Sequence, residues 1–332
     1  MTPRILVRGA VIALGAAGTG LAGCARGPES SLAPHSPQAE VIAGLWWTMF
    51  WMGSATYGLV LLALLVAVVR SRKRRKPGTA PPTFLIWAGG VVLPAAVVGV
   101  LTVLSFIATR EASPAGNPGR GALQIEVVGH KFWWEVRYPD EGIVTANEIT
   151  IPAGRPVDLV MESADVIHSM WIPRLHGKVD MVPGRITRLQ LQADEPGIYP
   201  GRCAEYCGTQ HAGMAISVEA LEPEAYQDWV DDRRSAVAPA AGVAVGQEVF
   251  MTTGCAECHA VEGTAARGTL GPDLTHLMSR RTLGAGRVPN NRGFLGGWVV
   301  DPQGIKPGNL MPPTALESQQ LIDLLDYLET LE

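Results

Sequence analysis

Charge is missing from two long stretches of this 332-residue chain: residues 41–69 carry none over 29 residues, and residues 83–109 none over 27. Each exceeds the roughly 20 apolar residues that span a bilayer, and two such runs in series argue against buried core helices. Acidic residues are absent from the segment between them, RSRKRRKPGTAPP, which holds six basic ones. A loop of that kind stays on the cytoplasmic side, so the N-terminus and everything after residue 110 lie outside. Neither run contains an ionisable residue, which excludes a proton path within these spans. An excess of positive charge is lacking as well: the net charge of −4 speaks against a nucleic-acid partner. Cysteine is scarce. Four of the five cysteines fall in two short motifs.

The fifth is Cys24. Residues 1–24 read as a secretory signal, with Arg4 and Arg8 ahead of the short apolar core VIALGAAGTGLAG. The segment ends LAGC and resembles a bacterial lipoprotein signal, in which Cys24 is lipidated and becomes the new N-terminus. An exported signal requires the same topology as the basic loop. The spans are expected as helices over about 43–69 and 84–108, forming a hairpin within 40–110. Trp46, Trp47 and Trp51 suit an interfacial aromatic belt, and Pro94 should bend the second helix and free a carbonyl.

From about 120 to 230 the pattern changes to period two. LQIEVVG, KFWWEVRY, NEITIP, PVDLVMES, RITRLQLQA and MAISVEA read as strands, separated by turn clusters such as YPDEG and IPAGRP. Several short strands in about 100 residues indicate a β-sandwich or barrel. Within it lie His168, Cys203, Cys207, His211 and Met214. The compartment is oxidising, so a Cys203–Cys207 disulfide is one reading. A loop this short strains disulfide geometry, however, and a disulfide has no use for His211 and Met214 beside it. Cys, His and Met together suit copper. One Cys with one His and a Met would hold a single copper; two of each Cys and His suggest two coppers bridged by two thiolates.

CAEYCGTQHAGM, preceded by DVIHSMWIPRLHGKVDMVPGR, resembles subunit II of the haem–copper cytochrome c oxidases over roughly 40–230. The resemblance implies a cupredoxin fold holding the binuclear CuA centre. Cys203 and Cys207 would then bridge the coppers, with His168 and His211 as terminal ligands and Met214 and the Glu205 carbonyl as weak ones. The Glu205 side chain would also reach a magnesium or manganese ion at the interface with subunit I. Where the family usually reads GHQWYW, this chain has GHKFWW at 129–134, which puts Phe132 at the usual electron-input position, followed by Trp133 and Trp134. The acidic residue that many relatives carry near the start of the second helix is also absent.

Residues 231–243, DDRRSAVAPAAGV, read as a linker. Beyond it, Cys255-Ala-Glu-Cys258-His259 is a c-type haem attachment motif, with His259 as the axial ligand. Met278, Met311 and His276 are candidates for the sixth ligand. Met311 stands out, because NLMPP places it in a proline-braced loop before the final amphipathic helix. Residues 244–332 resemble a small, all-α class I cytochrome c, with the terminal helix packing near Val249 and Phe250, Pro272 bracing the proximal loop and Met278 in the core. A tethered donor acts at an effective concentration on the order of millimolar, which would relax the need for a docking tryptophan at 132; a Phe132→Trp exchange is then expected to leave turnover unchanged.

The resemblance implies a multi-domain chain: membrane hairpin, cupredoxin and cytochrome c. It implies the electron-input subunit of an aerobic terminal oxidase in the bacterial plasma membrane, with both soluble domains on the periplasmic side. Subunits I and III would be its partners, with an upstream cytochrome complex or other donor supplying haem c. Oxygen reduction and proton translocation would take place in the partner. Rival readings are a CuA/haem c subunit of a nitric oxide reductase, and a membrane-tethered electron-transfer or copper-delivery protein.

Overall fold

The computed structural model of the chain describes residues 27–73, 83–112, 123–235 and 242–332. Cys24 and the expected signal lie outside the described residues, as do positions 236–241 of the expected linker. Two helices, Pro37–Lys73 and Thr83–Ala112, are long and apolar enough to cross a membrane by length and composition. Both run past the expected bounds; in the first, RSRK contains nothing that breaks a helix and Pro37 suits the first turn. Pro94 is preceded by a π-helical turn over Ala88–Val92, in which the Leu93 N–H donates to Ala88 O, five residues back. That wider turn accommodates a residue that has no N–H and whose ring crowds the preceding turn. Trp46 stacks on Phe50 at 5.3 Å in the first helix.

This helix pair forms one unit, and the remaining described residues form another. The second unit begins with a segment that the sequence pattern does not announce. Residues 27–36 are knitted onto the β domain: His35 N–H donates to Arg174 O (2.8 Å), Asp194 N–H donates to His35 O (2.9 Å), and Glu29 pairs with Arg202.

The β domain is a sandwich of two five-stranded sheets. One has the order β3-β2-β1-β5-β8 and the other β4-β10-β9-β6-β7. The strands are β1 Leu123–His130, β2 Trp133–Tyr138, β3 Ile143–Ala146, β4 Glu148–Pro152, β5 Val157–Ser163, β6 His168–Trp171, β7 Val179–Met181, β8 Thr187–Leu191, β9 Gly197–Cys203 and β10 Ala215–Leu221. Period-two alternation buries Leu123, Ile125 and Val127 from β1 and Trp134, Val136 and Tyr138 from β2. Each such side chain contributes about 1.5–3 kcal/mol on leaving water. The Tyr138 hydroxyl accepts from Thr150 N–H (2.7 Å) and donates to Thr150 O (3.0 Å), tying the two sheets together.

Pro223–Arg234 is a helix that buries Tyr226 and Val230 against the sandwich, so residues 231–234 are helical. Its end is held by Arg234, whose guanidinium donates to Glu141 O and Asp140 O.

In residues 242–332 the helices Ala244–Thr252 and Ser318–Leu328 cross closely. A Cβ on Gly246 would lie 1.9 Å from Asp323 O, so only glycine allows this approach. Phe250 meets Tyr327 edge-on at 5.7 Å, and Val249, Leu324, Leu325 and Leu328 complete the core. Met278 packs against this core, as expected.

Candidate metal centre and haem cavity

The ligand candidates converge from separate elements. His168 opens β6 and Cys203 ends β9, next to it in the same sheet, with Met170 opposite Cys203. The loop from 204 to 214 then carries Cys207, His211 and Met214 back to β10. Cys203 Sγ lies 3.9 Å from Cys207 Sγ and 3.9 Å from His168 Nδ1; Cys207 Sγ lies 3.8 Å from His211 Nδ1 and 3.8 Å from Met214 Sδ. The Glu205 carbonyl is 3.2 Å from Cys203 Sγ. The two thiols are free, and their spacing is far from the ~2.05 Å of a disulfide. Each cysteine therefore has its own histidine. His168, Cys203, Cys207 and Met214 are buried, which suits a soft-donor set shielded from water.

The surroundings orient these ligands. Asp165 Oδ1 lies 2.8 Å from His168 Nε2, which leaves Nδ1 facing Cys203. Asp165 is itself fixed by the N–H groups of Lys131 (2.7 Å) and Val166 (2.6 Å). An outer carboxylate of this kind sets the tautomer and basicity of a metal-binding histidine. Burial alone would lower the His168 pKa, but its bonds to Cys203 and Asp165 outweigh that and raise it. A hydrogen bond from Cys207 draws the Cys203 thiol well down, against desolvation, and pushes Cys207 up. Gly129 makes room for the ring: a Cβ there would meet His168 Cδ2 at 2.9 Å. Trp134, fully buried, packs edge-on against His168 at 5.9 Å.

Glu205 is different. Its carboxylate faces Lys178 Nζ at 3.5 Å, and that ammonium is also 3.0 Å from Asp180. In this chain taken alone, one exposed lysine thus stands beside both acids.

The second site is a cavity of about 370 Å³ lined by Cys255, Cys258, His259 and Met311. His259 Nδ1 donates to Pro272 O at 2.7 Å, which turns Nε2 outward as a free donor atom. Burial lowers the His259 pKa and keeps the ring neutral. Gly271 lies against that ring, and a Cβ there would come within 2.5 Å of Cε1. The Met311 loop is fastened by Asn309, whose Oδ1 accepts from Met311 N–H (2.7 Å), and by Gln303, whose amide donates to Met311 O (3.0 Å). His276 is engaged elsewhere, with its ring nitrogens 2.6 Å from Glu332 O and 3.0 Å from Arg233 O.

Lys131 and Phe132, from the turn between β1 and β2, and Trp133, the first residue of β2, line the same cavity. Trp133 stacks on His130 at 4.4 Å. Phe132 is only 6% exposed, and its ring approaches Gly208, beside Cys207, so closely that a Cβ on Gly208 would lie 3.0 Å away. The expectation for Phe132→Trp changes accordingly. On the Gly208 side a larger ring meets the backbone, and overpacking of this kind costs about 1–3 kcal/mol. Thermal unfolding should show a lowered midpoint; an unchanged midpoint would mean that the pocket yields freely.

Spacing did not single out Asp165, although a carboxylate three residues before a ligand histidine was a usable signal. Lys306, which donates to Phe132 O, carries no such signal.

Comparison with known proteins matches this arrangement. Residues 142–221 match the family described as cytochrome C oxidase subunit II, periplasmic domain, and residues 243–332 match cytochrome c. The chain is 33% identical over 330 residues to a cytochrome c oxidase subunit 2 from Alkalihalophilus pseudofirmus, covering 94% of each chain. It is 31% identical over 263 residues to one from Bacillus subtilis, covering 75% of this chain and 74% of that one. A crystal structure of the periplasmic domain of subunit II of cytochrome oxidase from Bradyrhizobium japonicum is 27% identical, with a TM-score of 0.33, covering 34% of this chain and 93% of that one. With both sites present and near full-length similarity to the first of these relatives, the chain belongs to the cytochrome c oxidase subunit 2 family, in a form that carries a cytochrome c domain at its C-terminus.

Proposed function

We propose that the chain is the electron-input subunit of an aerobic haem–copper oxidase. Electrons enter through the C-terminal domain, pass to the β domain and leave for subunit I, where oxygen is reduced to water with proton pumping. The observation that carries this reading is Phe132, which lines the haem-type cavity and packs against the loop that holds Cys207.

Haem c and a binuclear copper centre would supply two one-electron carriers in series. The chain's own residues prepare both places. Cys203 and Cys207 would be the bridging pair, His168 and His211 would hold the coppers beside them, and Met214 with the Glu205 carbonyl would be the weak ligands. Cys255 and Cys258 would anchor the haem covalently, His259 would offer a neutral ring nitrogen and Met311 a thioether, which favours a high potential. A rigid sandwich keeps the ligand positions constant between oxidation states, as fast one-electron transfer requires. Phe132 and Trp133 line the haem-type cavity and Trp134 packs against His168, which places aromatic rings at both sites.

The two apolar helices anchor the chain in the bacterial plasma membrane. The basic loop lies inside, both soluble domains lie outside, and a lipid on Cys24 would add a second hold. Subunits I and III are the membrane partners, and a separate carrier delivers electrons to the cytochrome domain. The test is the full-length chain purified with its partner subunits. One covalent haem and two coppers per chain, with oxygen consumption, are expected. A Cys203–Cys207 disulfide with no copper would sink the reading. Consumption of nitric oxide without oxygen would move the chain to a nitric oxide reductase.

A further inference from the structure

Lysine is among the residues least often fully buried, yet Lys306 is 3% exposed. It lies five residues before Met311, and its Nζ donates to Phe132 O and Gly284 O, both at 2.8 Å. One carbonyl belongs to the β domain and the other to the cytochrome domain. Burial, with Arg287 acting in the same direction, pushes the Lys306 pKa down to about 7. Two N–H donors remain even on the neutral amine, enough for two carbonyls.

Other ties surround it. Gln210 donates to Pro307 O at 2.6 Å, and Ala215 N–H donates to Ala285 O at 3.1 Å. A Cβ on Gly308 would lie 2.7 Å from Thr209 Oγ1, and one on Gly286 would lie 2.8 Å from Ala215 Cβ. Residues 285–286 and 307–308 thus rest on Thr209, Gln210 and Ala215, in and next to the loop that carries His211 and Met214.

We propose that Lys306 is a positioning residue, a latch that locks the fused cytochrome domain onto Phe132 and the copper-ligand loop. Transfer between the domains then runs across a fixed contact and not through repeated encounters of a tethered partner. A soluble carrier has no access to Phe132 and must deliver its electrons to the cytochrome domain. The consequence for transfer rests on the relay reading above; the latch rests on the contacts alone.

The test uses the full-length chain in its complex. Lys306→Met keeps the apolar stem and removes both donors. The Ala215 amide, bonded across the interface, should exchange with deuterium about tenfold faster or more, the scale of leaving a buried carbonyl unpaired. Amides at Val218 in the sandwich and Leu325 in the terminal helix should keep their protection. Transfer of one electron from the reduced cytochrome domain to the oxidised copper domain, followed after photoreduction, should slow by a similar factor, with haem absorbance and copper content unchanged. Gln210→Ala, which removes a neighbouring tie, should shift Ala215 exchange in the same direction. Unchanged Ala215 exchange in both variants would overturn the latch. So would loss of protection at Leu325, which would make Lys306 a prop within the cytochrome domain. If the native chain binds neither copper nor haem, the relay reading fails, while the exchange measurement still decides the latch.

Discussion

Cys207→Ser should remove the paramagnetic mixed-valence copper signal and take the copper content from two ions per chain to one or none. Cys207 is the residue through which the rest of the set connects. Its sulfur is within 3.8–3.9 Å of Cys203, His211 and Met214. A hydroxyl is a harder and much less acidic donor than a thiol, and soft thiolates are what select copper here. The fold itself should survive, because the sandwich core also rests on Tyr138, Ile149, Ile151 and Leu159, all fully buried. Metal analysis and paramagnetic resonance on the purified complex measure this. A full complement of copper in the variant would show that Cys207 is not a bridge.

The second large effect is expected from His259→Ala. The haem should stay attached through Cys255 and Cys258 while losing its proximal nitrogen, so the low-spin six-coordinate spectrum disappears. Axial ligands set haem potentials over a range of about 0.8 V, so the midpoint should move far from its native value and electron delivery to the copper domain should collapse. The structure shows why no neighbour substitutes. The imidazole is oriented by Pro272 O and boxed in by Gly271, which lacks the side chain that would displace it. His276, the nearest alternative in sequence, is engaged by Glu332 O and Arg233 O. A native spectrum in His259→Ala would remove His259 from the site.

Much of the candidate site was legible before any coordinates. Period-two alternation marks the strands because one face of each is buried. The Cys203–Cys207–His211–Met214 cluster is legible because four donors share one loop. The Cys-Ala-Glu-Cys-His run is legible because the whole motif lies in five consecutive residues. Some features were not legible. Residues 231–234 look like a linker by composition, yet they are helical because Tyr226 and Val230 find an apolar surface that lies far away in sequence. Residues 27–36 look like a tail and are held by backbone bonds to Arg174 and Asp194. Glu205 faces Lys178, 27 residues away, a pairing that no local spacing announces.

By itself, the sequence determined the order of the parts, the basic loop between two uncharged spans, and the identity of the donor atoms. These follow from local chemistry: hydropathy over a run, charge in a loop, and ligands a few residues apart. Only the tertiary structure decided that the thiols stand 3.9 Å apart, that Phe132 is buried between two sites, and that Lys306 crosses from one domain to the other. Those facts depend on which surfaces meet, and pairs such as Phe132 and Lys306, 174 residues apart, leave no local pattern from which their meeting can be read.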